Sequence, residues 1–107
     1  ESCLVAADIP RLAGVADGIN IKLAKCGSLR EALRMIATAR AHGMLVMAGC
    51  MIESSLGITA AAQLAPLLDA ADLDGAALTA NDPFVGATID RGQICLSSEP
   101  GLGVRRR

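Results

Sequence analysis

Three short apolar runs, set roughly 25 residues apart and separated by helical patterns, constrain this chain more than any other feature. The first, Ile19-Asn20-Ile21-Lys22-Leu23, alternates with period two and carries β-branched residues, so it reads as a strand. The second, Met44-Leu45-Val46-Met47-Ala48, is apolar on both faces, as expected of a parallel strand covered on both sides. The third lies between Asp72 and Leu78. Between the first two, Ser28 reads as a helix N-cap and Glu31 as the second half of a capping box. Leu29, Leu33, Ile36 and Ala37 supply an apolar stripe, Arg30, Arg34 and Arg40 a wet side, and Gly43 a stop. After the second run, a loop over 49–55 leads to a small-residue helix from about Leu56. Pro66 must end or kink that helix, because it has no N–H to donate. Ahead of the first strand, Asp8 and Pro10 mark the N-cap and first turn of a short helix.

This rhythm belongs to a (β/α) barrel or to a doubly wound sheet. The latter wants a Gly-rich phosphate loop after its first strand, and no G-x-G-x-x-G occurs here. A closed barrel takes eight strands and about 250 residues, whereas these 107 residues supply three units. The chain opens Glu1-Ser2-Cys3 rather than with Met, so the expectation is a piece of a longer α/β protein. From Asn81 the character changes: Gly, Pro and Thr recur, a short strand is expected over 93–96, and Pro100-Gly101-Leu102-Gly103 is turn chemistry. Residues 1–80 are therefore expected to form barrel units and 81–107 a separate tail.

Charge is balanced, with 10 Lys+Arg against 11 Asp+Glu, and Phe84 is the only aromatic residue. Neither a basic footprint nor a base-stacking platform for nucleic acid follows. A hydrophobic content of 52% excludes a disordered chain. The longest apolar run, around residues 44–52, is too short to span a bilayer, so no membrane partner is expected. Cys3, Cys26, Cys50 and Cys95 are widely spaced with no C-x-x-C pair, which points to free thiols in a reducing, cytoplasmic setting rather than to zinc or disulfides.

Lys22 is the most informative side chain. It stands near the C-terminal end of an otherwise apolar strand, on the face of Asn20. Strand C-termini face the active site of a barrel, where a lysine can act as a general base. The alternative is a lysine that snorkels to solvent. Asp72 and Asp74, two apart, point away from Leu73 and together call for a cation: a metal, a basic side chain or a substrate ammonium. Their other reading is a solvated D-x-D-G turn. Glu53 either pairs with Lys22 or sits in the first turn of the next helix, where the dipole suits it. His42 at a helix end and Arg105-Arg106-Arg107 read as surface charge, and Lys25 as a loop cation.

Taken together, Asn20-Ile21-Lys22-Leu23-Ala24-Lys25-Cys26-Gly27, Gly49-Cys50-Met51-Ile52-Glu53, Asp72-Leu73-Asp74-Gly75 and Pro100-Gly101-Leu102-Gly103-Val104 resemble the enolase superfamily. Within it they resemble the muconate-lactonizing subgroup and its dipeptide epimerases, of the L-Ala-D/L-Glu epimerase type. The resemblance implies the last strands of a TIM-like (β/α) barrel, followed by a tail that returns to a capping domain. It implies an isomerase that epimerises a small dipeptide in a cytoplasmic, peptidoglycan-recycling setting, homo-oligomeric when complete. Lys22 then corresponds to the lysine of the sixth strand, Asp72 and Asp74 to the pair that receives the α-ammonium, and Cys50 to a pocket-lining position after the seventh strand. The implied cofactor is Mg²⁺, which helps a lysine base by stabilising the enolate. Its ligands and the partner lysine of a K-x-K motif are expected upstream of Glu1, so this chain supplies no metal ligand. Rival activities in the subgroup are cycloisomerase, o-succinylbenzoate synthase and N-acylamino acid racemase. Their substrates lack a free α-ammonium, so the D-x-D pair argues against them. A further alternative is an inactive truncated fragment.

Overall fold

The computed structural model describes residues 1–107. Its centre is a parallel sheet of β1 (Gly18–Ile21), β2 (Leu45–Gly49) and β3 (Ala70–Asp72), ordered as in the sequence. The register pairs Ile19 with Val46, Ile21 with Ala48, Met47 with Ala70 and Gly49 with Asp72. Helices α1 (Leu23–Cys26), α2 (Leu29–Ala41) and α3 (Ser55–Ala62) fill the connections.

Side chains alternate across the sheet. Ile19, Ile21, Val46 and Ala48 are buried. The first three join α2 and the N-terminal 3₁₀ helix in one core cluster, and Ala48 joins α3 and Leu73 in a second. The opposite face is open. Asn20 and Ala70 are exposed, and Leu45 is 57% exposed. The expectation that β2 is covered on both sides is thus corrected: within this chain its helices cover one side only.

Helix α2 starts as expected, with Ser28 Oγ accepting from Glu31 N at 3.1 Å. The reciprocal half of the capping box is absent. Glu31 instead accepts from Ala6 N at 2.8 Å, pinning the 3₁₀ helix Ala6–Leu12 to α2. Asp8 is not the N-cap of that 3₁₀ helix. It lies inside the first turn and accepts from Leu4 N and Val5 N at 2.9 and 3.0 Å, while Pro10 falls in the interior. The buried stripe of α2 is Ala32, Met35, Ile36 and Ala39, and the expected members Leu33 and Ala37 are exposed. The small Ala32 and Ala39 let the helix approach its neighbours closely, so its contact face centres on Met35. Gly43, at φ 69°, ends the connection as expected.

Helix α3 ends at Ala62, and Pro66 sits in a 3₁₀ turn, Ala65–Leu67. The third strand comes earlier than expected: it is Ala70–Asp72, and the run after it turns into a 3₁₀ helix, Gly75–Leu78. Asp69 fixes the strand start by accepting from Val46 N and Arg40 Nη1, both at 2.7 Å.

The tail forms two antiparallel ladders. β4 (Phe84–Val85) pairs with β7 (Arg105–Arg106), and β5 (Thr88–Asp90) with β6 (Gln93–Cys95). The β5–β6 turn has positive φ at both Arg91 (48°) and Gly92 (81°), the type I′ pattern that matches strand twist. Asp82 ties the tail to α3, accepting from Ser55 N and Ser55 Oγ at 2.6 Å. No helix is long and apolar enough to cross a membrane.

Candidate functional site

The C-terminal edge of the parallel sheet gathers the reactive side chains. Lys22 follows the Ile21–Ala48 pair with its backbone still extended (φ −123°, ψ 120°) as the N-cap of α1, so continuing the register sets it toward Gly49, whose partner on the other side is Asp72. Lys22, Gly49 and Asp72 therefore form one row across the three strands, on the open face. Lys22 and Asp72 stand two strand spacings apart, about 9.6 Å at the backbone. Gly49 leaves that space free of a side chain, and a Cβ there would meet the Asn20 amide at 2.9–3.0 Å.

Lys22 is half-buried, and its Nζ approaches Met51 Sδ at 3.8 Å. It forms no ion pair. Lys25 pairs instead with Glu1, which holds the Glu1 carboxyl below its ordinary range through that hydrogen bond and charge. Asp72 and Asp74 are exposed on either side of buried Leu73, which anchors them from beneath. The alternation expected of this pair holds, although Asp74 lies beyond the strand at the start of the 3₁₀ helix.

Both carboxylates line a shallow cavity of about 280 Å³, shared with Cys50 and Met51 from the loop after β2 and with Leu78 from the 3₁₀ helix. The structure thus brings Asp72, Asp74 and Cys50 together, and Met51 links that cavity to Lys22. Gly75 closes the wall: a Cβ there would collide with Met51 O and stand 3.1 Å from Cys50 Sγ. Met51 and Gly75 belong to the motifs quoted from the sequence, which assign neither a role in this wall. The Gly that follows the D-x-D pair is the available signal, since only a side chain of zero length permits this approach.

Glu53 does not pair with Lys22. It turns back to accept from Met51 N at 3.0 Å, bracing the loop ahead of α3. His42 is exposed, with Nδ1 2.9 Å from Thr38 O, and serves the end of α2. Arg105 and Arg106 belong to an exposed edge ladder. All four cysteines are free thiols.

The largest cavity, about 470 Å³, lies in the tail between Val85, Ser97, Glu99 and Arg105, and holds none of the strand-end residues. No three His, Cys, Asp or Glu side chains converge to hold a metal ion, so the residues present do not make a complete metal site.

The arrangement has a definite chemical capacity. Two adjacent carboxylates facing solvent form a receptor for an ammonium group. An amine lies across an empty stretch of sheet from them. A small molecule held there by an ammonium group would extend along that stretch toward the amine.

A family model described as "Enolase C-terminal domain-like" matches residues 1–107. The chain is 48% identical over 106 residues to the L-Ala-D/L-Glu epimerase of Bacteroides thetaiotaomicron, covering 99% of this chain and 28% of that protein. It is 49% identical over 105 residues to an L-Ala-D/L-amino acid epimerase of Maribacter sp., covering 97% of this chain and 31% of that protein. Among solved structures it resembles a dipeptide epimerase from Methylococcus capsulatus complexed with Mg and the dipeptide L-Arg-D-Lys. The TM-score is 0.88 and the identity 37%, over 94% of this chain and 30% of that one. The chain thus spans less than a third of the length of each of these proteins.

Proposed function

Because the chain belongs to the enolase C-terminal domain-like family, we propose that it is the C-terminal part of a Mg²⁺-dependent dipeptide epimerase. On this reading residues 1–80 are the last units of a (β/α) barrel and 81–107 a tail that returns to a capping domain. The sheet order β1-β2-β3 advances in one direction, as in a barrel and equally in one half of a doubly wound sheet, so the barrel reading is supported by the family match. The complete enzyme would be a cytoplasmic homo-oligomer, and its four free thiols suit a reducing compartment.

One observation carries the reading: Lys22, one residue past the Ile21–Ala48 pair, and Asp72, the register partner of Gly49, both stand at the C-terminal edge of the sheet. Asp72 and Asp74 bind the α-ammonium of the dipeptide. Consecutive Cα atoms are about 3.8 Å apart across a trans peptide, so the second α-carbon lies partway along the row toward Lys22. Lys22 exchanges the proton on one face of that carbon, and a lysine outside this span serves the other face. Holding the ammonium in place lowers the orientational cost of bringing base and carbon together. Cys50 forms part of the floor beneath the ammonium. A bound Mg²⁺ would stabilise the enolate charge, held by side chains outside this span.

The test is made in the complete protein. Lys22→Ala is expected to abolish solvent exchange of the α-proton of one epimer, followed by NMR in deuterated water, while leaving exchange from the other. Normal exchange from both epimers would overturn the role of Lys22. N-acylated dipeptides are expected to be poor substrates beside free ones, because acylation removes the charge that the carboxylates bind. Equal turnover of the two would favour an N-acylamino acid racemase instead.

A further inference from the structure

The Lys22 side chain meets the loop after β2 at a sulfur: its Nζ stands 3.8 Å from Met51 Sδ, across 29 positions of the chain. A thioether is a weak acceptor, polarizable and uncharged. It orients an amine without tying it into an ion pair. A methionine side chain is also flexible, so such a contact has a defined place only where the backbone that carries it is fixed. At Met51 it is fixed on both sides. The Met51 N–H donates to Glu53 Oε1 at 3.0 Å. The Glu53 carboxylate in turn lies over Gly57 in the first turn of α3, where a Cβ would meet its Oε2 at 2.6 Å. The Met51 carbonyl abuts Gly75, which has no room for a Cβ. Helix α3 and the segment after β3 hold the loop between them, and the Met51 side chain carries that placement to Lys22.

We propose that Met51 is a positioning residue for Lys22, its thioether setting where the amine stands. The inference rests on the assignment of Lys22 as the base for one face of the α-carbon. A lysine is a flexible four-carbon stem, and proton transfer needs its nitrogen within reach of the proton it takes. Holding Nζ from the side removes part of the search over rotamers before the substrate arrives. Because the acceptor is weak, the amine leaves it for the α-carbon at little cost. The contact touches one lysine, so it acts on one face of the substrate; the base for the other face lies outside this span. That one-sidedness separates positioning from a role in the cavity wall, which would reach both epimers through binding.

The test compares Met51→Leu and Met51→Gln in the complete protein, with exchange of the α-proton into deuterated water followed by NMR for each epimer separately. Leu fills a similar volume without an acceptor, and Gln has a similar reach and restores one. In Met51→Leu, kcat for exchange from the epimer that depends on Lys22 is expected to fall about fivefold, the scale of one hydrogen bond, with KM little changed. Exchange from the other epimer should keep its wild-type rate, which also reports that the variant is folded. Met51→Gln should recover most of the lost rate. Equal slowing from both epimers, an effect confined to KM, no slowing in Met51→Leu, or a Gln variant no faster than the Leu variant would overturn the inference. Absence of exchange from either epimer in the wild-type protein would instead overturn the function proposed above.

Discussion

Gly49 and Gly75 stand at the same rim, yet they tolerate a side chain differently. At Gly75 the obstacle is backbone, since an added methyl would run into Met51 O, whereas at Gly49 it is the amide of the flexible Asn20 side chain at 2.9–3.0 Å. Overpacking against atoms that cannot move costs about 1–3 kcal/mol. Gly75→Ala is therefore expected to lower the urea midpoint of unfolding clearly, and Gly49→Ala to lower it less, since Asn20 can rotate away. Equal midpoints for the two variants would contradict this account. A lysine in an apolar strand and paired carboxylates are chemically conspicuous, and the structure sets Lys22 and the Asp72/Asp74 pair at the same sheet edge. The role of Gly75 was not legible in the sequence, because a close approach between two loops exists only in three dimensions. The stripe of α2 was misplaced for a related reason: Ala32 and Ala39 carry little hydrophobic signal of their own, and their burial depends on what lies opposite.

Among the elements, the tail is joined to α3 by the Ala87 N–Thr59 Oγ1 bond at 2.7 Å and by the acid Asp82. Asp82 accepts from Ser55 Oγ, Ser55 N and Phe84 N, and so stands at the start of α3, where Ser54 contributes no side-chain cap. The Ser55 hydroxyl bond, with the two backbone N–H bonds, holds the Asp82 carboxyl below its ordinary range, against a smaller opposing effect of burial. A carboxyl depressed in the folded state stabilises fully above its unfolded pKa of about 3.9, and loses that contribution as pH falls through the folded value. Amide exchange at Ser55 and Phe84, corrected for intrinsic rates, is thus expected to stay protected down to about pH 4 and to accelerate below it. In Asp82→Asn the protection should be weaker at neutral pH and less dependent on acid. Protection in the variant equal to that of the wild type at neutral pH would remove Asp82 as the anchor. Strand existence was legible from β-branching and alternation, and the 93–96 strand is observed as Gln93–Cys95. The start of β3 was not legible, because it is set by Asp69 bridging to Val46 and Arg40, residues distant in sequence.

As a whole, the molecule is extended, 44 × 25 × 23 Å, with a radius of gyration of 14.1 Å. That exceeds the roughly 13 Å of a compact domain of this length. Only 18 of 107 residues are buried, and the sheet face bearing Asn20, Leu45 and Met47 meets no helix. A second cavity of about 340 Å³, lined by these residues and Ala70, lies on that face. The 107-residue span purified alone is expected to self-associate, visible as concentration-dependent sedimentation, because that apolar face is uncovered. It is also expected to lack epimerase activity, since it brings together neither a second base opposite Lys22 nor three metal-ligating side chains. Turnover by the isolated span would refute this. The strand–helix rhythm was legible at this scale, and so was the change of character at Asn81, because both are written in local periodicity. The open face was not: Leu45 and Met47 read as covered whether their cover lies in this chain or elsewhere.

The division of the interior into two clusters has an evolutionary corollary. Ile19 and Ile21 of β1, the strand that leads into Lys22, are rooted in one cluster, and Leu73, between the two acids, is rooted in the other. Leu23, next to Lys22, and Leu68 pack against both clusters, so drift in either interior would be felt at both flanks of the strand-end rim.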